Sequence, residues 1–354
     1  MAPAGHIRVF MSGLQERGVN VLKYIAHRLL LLIPVLFGVS LFVFLVLHLF
    51  TADPAAMMLG QHATAEQVEA LRRQLGLNDP LYIQFGRFLR DILQGDFGRS
   101  LMTRAPVMEE ILTRFPATIE LAFTAILIAS LVGITVGVIS AVKQYSIFDY
   151  LSMIGALLGV SMPIFWLGLM LIILFSVTLG WLPVSGRVDI GLEPPAITHF
   201  YILDSILAGR WDSLISSLKH LALPAIALAS YSTAIIARMT RSTMLEVIRQ
   251  DYIRTARAKG LRETVVVYKH ALRNALIPVV TVIGLQMGSL LGGAVLTETV
   301  FSWPGIGSLL VNAIMAADYP LVQGSVIFIA TIYVVVNLIV DVLYAYLDPR
   351  IHYS

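Results

Sequence analysis

Charged residues vanish from this chain over six stretches: Leu29–Phe50, Leu121–Val142, Leu151–Gly186, Leu221–Ala237, Asn274–Thr297 and Tyr319–Val340. A helix crosses a bilayer with ~20 mainly apolar residues, within a range of ~17–25, so five of these stretches have the length of one span. The third is longer, and Gly180, Pro183 and Gly186 predict that its helix stops near Leu179 and gives way to a loop. The pattern predicts an all-α membrane protein of six transmembrane helices. Burying the same stretches inside a large soluble enzyme would require flanking polar elements that the sequence does not supply.

The connections have patterns of their own. Between the first two spans, Val68, Leu71 and Leu75 recur at helical spacing, as do Phe85, Phe88, Leu89 and Ile92, and then Val107, Ile111 and Leu112. Pro54, Pro80 and the run Gly95-Asp96-Phe97-Gly98 separate these sets. They predict short amphipathic helices that lie on the membrane surface or form a docking platform for an external partner. Within the spans, Gly133 and Gly137, Gly155 and Gly159, and Gly284, Gly288 and Gly292 are spaced to let helix backbones approach closely. Pro34, Pro163, Pro224 and Pro278 mark kinks or helix starts.

Composition strengthens the membrane reading. Of 354 residues, 57% are hydrophobic and 13% charged, against about 25% charged in soluble domains; mean hydropathy is +0.81. The distribution of charge predicts orientation. Arg8, Arg17, Lys23 and Arg28 precede the first span, and Arg238, Arg241, Arg249, Arg254, Arg257, Lys259, Arg262, Lys269 and Arg273 follow the fourth. The connection between the third and fourth spans instead holds Arg187, Arg210 and Lys219 against four acids. By the positive-inside rule both termini are cytoplasmic. The layout is a cytoplasmic segment 1–28, an uncleaved first span 29–50, an external segment 51–115 and a five-helix core 116–354 containing a cytoplasmic loop 238–273.

Several classes of chemistry are excluded. There is no cysteine, and the eight histidines show no HxxxH spacing, so no metal site is expected. The carboxylates closest to the membrane interior, Glu120, Glu298 and Asp341, stand at span ends, which argues against the proton or sodium coupling of a stand-alone secondary transporter. No convergent set of catalytic side chains points to an enzyme. No GxxxxGK[ST] occurs, so the chain holds no P-loop nucleotide or other cofactor of its own, and no nucleic-acid partner is expected.

Two segments carry candidate function. In the loop after the fourth span, Asp251, Tyr252, Arg254, Thr255, Ala256 and Arg257 form a short helix that ends at Gly260, and Pro278 opens the following span. A short helix with small residues suits a partner's groove; a basic juxtamembrane helix also suits anionic lipid, at roughly 1 kcal/mol per Lys or Arg. Beyond the fifth span, Glu298, Phe301, Trp303, Pro304 and Gly305 interrupt the helical pattern. Irregular backbone at membrane depth lines a cavity or is buried in protein, so this segment is a candidate outer gate. The alternative is an interfacial turn with Phe301 and Trp303 at headgroup level.

The loop resembles the coupling loop of ATP-binding-cassette importer permeases, with Gly260 and Pro278 at the motif's glycine and proline and Arg254 where glutamate is usual. The resemblance to the peptide branch of that family extends along the chain. It includes Gly95–Ser100, Ser161–Trp166, Leu182–Arg187, Arg238–Val247, Leu296–Gly307 and Asp348–Arg350. It is strongest to the first membrane subunit of dipeptide permeases. The resemblance implies a multi-pass protein of the bacterial inner membrane, paired with a second six-span permease subunit. It further implies two cytoplasmic ATPase subunits that bind ATP and magnesium, an external substrate-binding protein and a dipeptide or short-peptide substrate. Nickel and glutathione are the alternative substrates within the family.

Overall fold

A computed structural model describes residues 30–49, 54–59 and 63–347. The N-terminal segment 1–28 and Asp348–Arg350 lie outside the described residues. The structure is helical, in chain order α1 (Leu30–Leu49), α2 (Pro54–Leu59), α3 (Ala65–Leu75), α4 (Leu81–Leu93), α5 (Val107–Val142), α6 (Ile147–Ser161) and α7 (Ile164–Leu171). After a π-helical continuation of α7 over Ile172–Thr178 come α8 (Tyr201–Leu207), α9 (Trp211–Ile248) and α10 (Asp251–Ala258). Then follow α11 (Glu263–Val265), a π-helical turn Val266–Ala271, α12 (Leu272–Gly293), α13 (Val295–Val300), α14 (Ile306–Met315) and α15 (Tyr319–Leu347).

Among the described residues, five helices have the length and apolarity of a span, and α6 with α7 supplies a sixth only as a pair bent by 107°. Pro163, expected at a kink or a helix start, stands at this bend. Met162 is extended (φ −80°, ψ 131°), the conformation forced on a residue that precedes proline, and Pro163 has no N–H to continue the ladder. The fourth span is also longer than its apolar stretch. At about 1.5 Å per residue the 38 residues of α9 reach about 57 Å, well beyond a hydrocarbon core of ~30 Å. Residues 238–248, expected in a loop, are therefore its projecting end.

The centre of the fold is the parallel pair α5–α9. Ala117, Leu121, Ala122, Ala125 and Ala129 of α5 pack against Leu221, Ala225, Leu228, Ala229 and Ile236 of α9, all of them buried. Further along, a Cβ at Gly133 would stand 2.8 Å from the Ile236 side chain, and one at Gly137 would stand 2.5 Å from Thr240 and 2.7 Å from the Ala237 carbonyl. Lipid offers helices no hydrophobic reason to associate, so this backbone proximity supplies the dispersion contact that holds them. The second glycine series works the same way: Gly284 faces Val340, Gly288 faces Asn337 and Gly292 faces Tyr333, joining α12 to α15. Of the remaining pair, Gly159 approaches the Ser230 carbonyl, whereas a Cβ at Gly155 would meet no atom of the described residues within 4 Å.

The segment after α1 is also better anchored than its pattern implied. A capping box between Thr64 and Gln67 starts α3, and Gly76, at φ 65°, ends it. Phe85 and Phe88 of α4 pack on Phe44 of α1, Phe85 also on Phe37, and His48 pairs with Gln84 at 3.2 Å. The apolar face of α4 therefore covers α1. The third expected amphipathic helix is absent as a separate element: Val107, Ile111 and Leu112 belong to the opening turns of α5, which runs through Pro116 without a break.

Gly137→Leu is expected to destabilise the isolated chain by about 1–3 kcal/mol or more through overpacking. Gly155→Leu is expected to stay within about 0.5 kcal/mol of the parent. Thermal unfolding in detergent measures both.

Candidate coupling segment and the knot at the opposite end

At the basic end of the bundle, α9 stops at Ile248 and the chain turns through Arg249 and an extended Gln250 into α10. Ile253 and Ala256 of α10 are buried in an apolar cluster with Val138, Ala141, Met244, Val266, Val267, Ala271 and Ala275. Three residues apart, they form one face of the helix. Asp251, Tyr252, Arg254, Thr255 and Arg257 are exposed. Ala256, expected on the docking face, is instead part of the seat. Ile253, which the sequence reading passed over, is fully buried and is the anchor.

The exposed face is held in shape by its own polar groups. Arg254 Nη1 lies 3.3 Å from Asp251 Oδ1, and Thr255 donates to the Asp251 carbonyl at 3.0 Å. Arg257 makes a two-point pair with Glu263 at 2.7 and 3.1 Å, and Asn274 donates to the Tyr252 hydroxyl at 2.8 Å. Gly260, at φ 77°, completes a Schellman turn: its N–H reaches the Arg257 carbonyl at 2.9 Å and Leu261 N–H reaches Ala256 at 3.4 Å. Among the described residues, no atom lies within 4 Å of the position a Gly260 Cβ would take. Pro278 lies apart from this surface, inside α12.

At the opposite end the candidate gate residues come together, but as a packed knot. Glu298 is fully buried and accepts from Thr118 Oγ1 at 2.7 Å and from Ser308 N–H at 3.0 Å. Its carboxylate sits at the N-terminus of α14, where unpaired N–H groups and the helix dipole favour negative charge. Gly305 makes the fit possible, since a Cβ there would stand 2.3 Å from that carboxylate. Trp303, 1% exposed, donates from Nε1 to the Ala117 carbonyl at 2.9 Å. Phe301 is buried against Gly168 of α7, and its carbonyl accepts from Gly186 N–H at 3.0 Å. Pro304 is half-buried. With Phe301 and Trp303 enclosed by protein, the interfacial-belt alternative does not hold for them.

Two buried ion pairs escaped the sequence reading. Arg187 donates to Glu120 at 2.6 and 3.1 Å and to the His199 carbonyl at 2.9 Å, with its guanidinium 3.8 Å from the Tyr201 ring centre. Ile202 N–H donates to the other Glu120 oxygen at 2.9 Å, so the connection after α7 is tied down onto α5. Asp204 holds the next turn: burial pushes its carboxyl upward, but hydrogen bonds from Thr198, Ile197 and His199 outweigh this and lower it below its ordinary value. At the basic end, Arg241 of α9 grips Asp149 of α6 at 2.7 and 2.8 Å, and Ser140 of α5 donates to the same carboxylate. The partners stand 67 and 92 residues apart, so only folding relates them. No cluster of three or more metal-ligating side chains occurs among the described residues.

Apolar spans, glycine-mediated helix pairs and a short exposed helix seated on the end of the bundle define a multi-pass membrane protein. Comparison with known proteins gives the family. Residues 133–353 match the family described as binding-protein-dependent transport system inner membrane component, and residues 21–122 match its N-terminal region. The chain belongs to this family and is a multi-pass inner-membrane protein. It is 53% identical over 334 residues to the dipeptide transport system permease protein DppB of Alkalihalophilus pseudofirmus, covering 94% of this chain and 100% of the relative. The di/tripeptide transport system permease protein DppB of Pseudomonas aeruginosa is 52% identical, with the same coverage. The glutathione transport system permease protein GsiC of Escherichia coli is 44% identical over 94% of this chain and 100% of the relative.

Arg187→Ala leaves Glu120 as an uncompensated buried charge, which is expected to cost about 3–5 kcal/mol. Arg187→Ala with Glu120→Gln is expected to recover part of that loss, as measured by thermal unfolding in detergent.

Proposed function

We propose that this chain is one permease subunit of an ATP-driven importer and that it moves dipeptides or short peptides inward across the inner membrane. The observation that carries the coupling part of this reading is α10: a helix whose apolar face is seated on the bundle and whose other face, with Asp251, Tyr252, Arg254, Thr255 and Arg257, is exposed. Two relatives that match over their whole length are named for dipeptide or di/tripeptide transport. The glutathione permease has the same coverage at lower identity, which makes glutathione the second choice.

In this reading the basic end is cytoplasmic, and α10 fits a groove on one of two ATPase subunits. A second six-span permease subunit completes the pathway, and an external binding protein delivers the peptide. ATP and magnesium belong to the ATPases, and this chain contributes no catalytic residue. Closure of the ATPases displaces α10, and the pathway alternates between states that ATP and the loaded binding protein favour to different degrees. The knot of Glu298, Phe301, Trp303, Pro304 and Gly305 is the outer gate, closed in this conformation.

Copurification of two ATPase polypeptides, and mass spectrometry of the ligand on the copurifying binding protein, test partner and substrate directly. Gly260→Leu adds a Cβ that meets no atom of the described residues within 4 Å and backbone strain of about 1–2 kcal/mol. The variant is expected to fold and insert but to lose about tenfold or more of peptide uptake, because the stroke no longer reaches the spans. Normal uptake would remove the coupling role of Gly260. For the gate, Phe301→Cys is expected to resist thiol reagents at rest and to react when ATP and loaded binding protein are supplied. Ser302→Cys, exposed here, is expected to react throughout. Reactivity at residue 301 that ignores both ligands would exclude gating.

A further inference from the structure

We propose that Gln286, oriented by Ser232, is a peptide-binding residue within the membrane. Its amide donates hydrogen bonds to the carbonyl or carboxylate oxygens of the passing peptide. This rests on the peptide-import function proposed above and gives the peptide a contact inside the pathway. Gln286 belongs to the span Glu263–Gly292 and stands about 10 Å along α12 from its end at Gly293. The knot around Glu298 follows beyond that end, so Gln286 lies on the inner side of the proposed gate. Its carboxamide oxygen accepts from the Ser232 hydroxyl of α9 at 3.2 Å, and Ser232 is fully buried. The oxygen is thereby held to the seam between α9 and α12. The amide –NH2, with its two donors, has no hydrogen-bond partner among the described residues.

A free amide at this depth is costly. Hydrocarbon offers no acceptor, so an unsatisfied donor facing it is strongly disfavoured. Hydroxyls in the spans avoid the cost by bonding back to their own helix: Thr135 to the Leu131 carbonyl, Ser152 to Phe148, Thr233 to Ala229 and Thr331 to Ile327. Gln286 does not. Its flank also differs from a helix-packing surface. Close approach between helices in lipid uses small residues, and the glycine face of α12 is already occupied by α15. Beside the half-buried Gln286 stand Val282 and Leu285, with Leu285 and, one turn on, Ser289 exposed. This surface is open, partly polar and uncharged, as a transient ligand requires. Every dipeptide brings the same backbone oxygens whatever its side chains. A neutral amide holds them less strongly than arginine or lysine holds a carboxylate, and passage needs binding weak enough to release.

In proteoliposomes holding the complete importer, Gln286→Met keeps the side-chain length and removes the amide. It is expected to lower ATP-driven uptake of a labelled dipeptide about fivefold or more, while ATP hydrolysis stimulated by the loaded binding protein stays within about twofold. Gln286→Asn, which retains an amide, is expected to recover part of the uptake. Ser232→Ala is expected to lower uptake about twofold to threefold on its own and to have no further effect on Gln286→Met, since it acts only by orienting Gln286. A dipeptide with a photoreactive diazirine side chain, illuminated during turnover, is expected to label segment 282–289. Unchanged uptake by Gln286→Met, or labelling of this chain confined to other segments, overturns the site. A parallel fall in ATP hydrolysis, or loss of the second permease subunit from the purified Gln286→Met complex, would assign the amide to structure and overturn it as well. Dipeptide uptake by the unmodified importer is measured alongside. Its absence overturns the peptide-import function and the site with it, whereas normal uptake by parent and Gln286→Met alike overturns the site alone.

Discussion

The contact between α5 and α9 carries the rest of the structure. Two long parallel helices meet along an alanine-rich seam that tightens at Gly133 and Gly137, where the facing Ile236, Ala237 and Thr240 leave no room for a Cβ. In a bilayer, where apolar side chains gain nothing by leaving lipid, such proximity is what makes association worthwhile. α12 and α6 pack along α9, and the connections between helices are fastened at the two ends of the pair.

Charge is used at those ends and kept out of the middle. Glu120 with Arg187, and Glu298 with Thr118 and the start of α14, secure the connections onto the first turns of α5. Asp149, Arg241 and Ser140 join α5, α6 and α9 where they emerge at the basic end. Buried ion pairs repay their desolvation only when geometry and further hydrogen bonds are good. Both sites meet that condition through two-point arginine contacts and additional donors. They fix the relative registers of helices whose apolar surfaces alone would tolerate sliding.

Against this clamped frame, α10 stands out as an element placed on the bundle rather than woven into it. Its seat is apolar and its polar ties run to α11 and α12, while the break at Met162–Pro163 leaves α6 and α7 as two short bodies in place of one stiff rod.

The sequence by itself determined which stretches enter the membrane, because the absence of charge over ~20 residues admits no other solvent. It also determined where α10 ends, since the left-handed turn at position 260 favours glycine, and which helix faces approach closely, since glycine at every fourth residue leaves a groove. Its limits are equally physical. Pro163 marked a kink or helix start, but the size of the bend, 107°, was set by tertiary structure, and the start of α5 was hidden because a projecting helix end looks amphipathic. Glu298 and Glu120 read as span-end acids, although one is the core of a knot and the other half of a buried ion pair, because their partners at Thr118, Ser308 and Arg187 are set by tertiary contact. Periodicity records a residue's solvent along one helix. Which other helix supplies its partner is decided only when the helices meet.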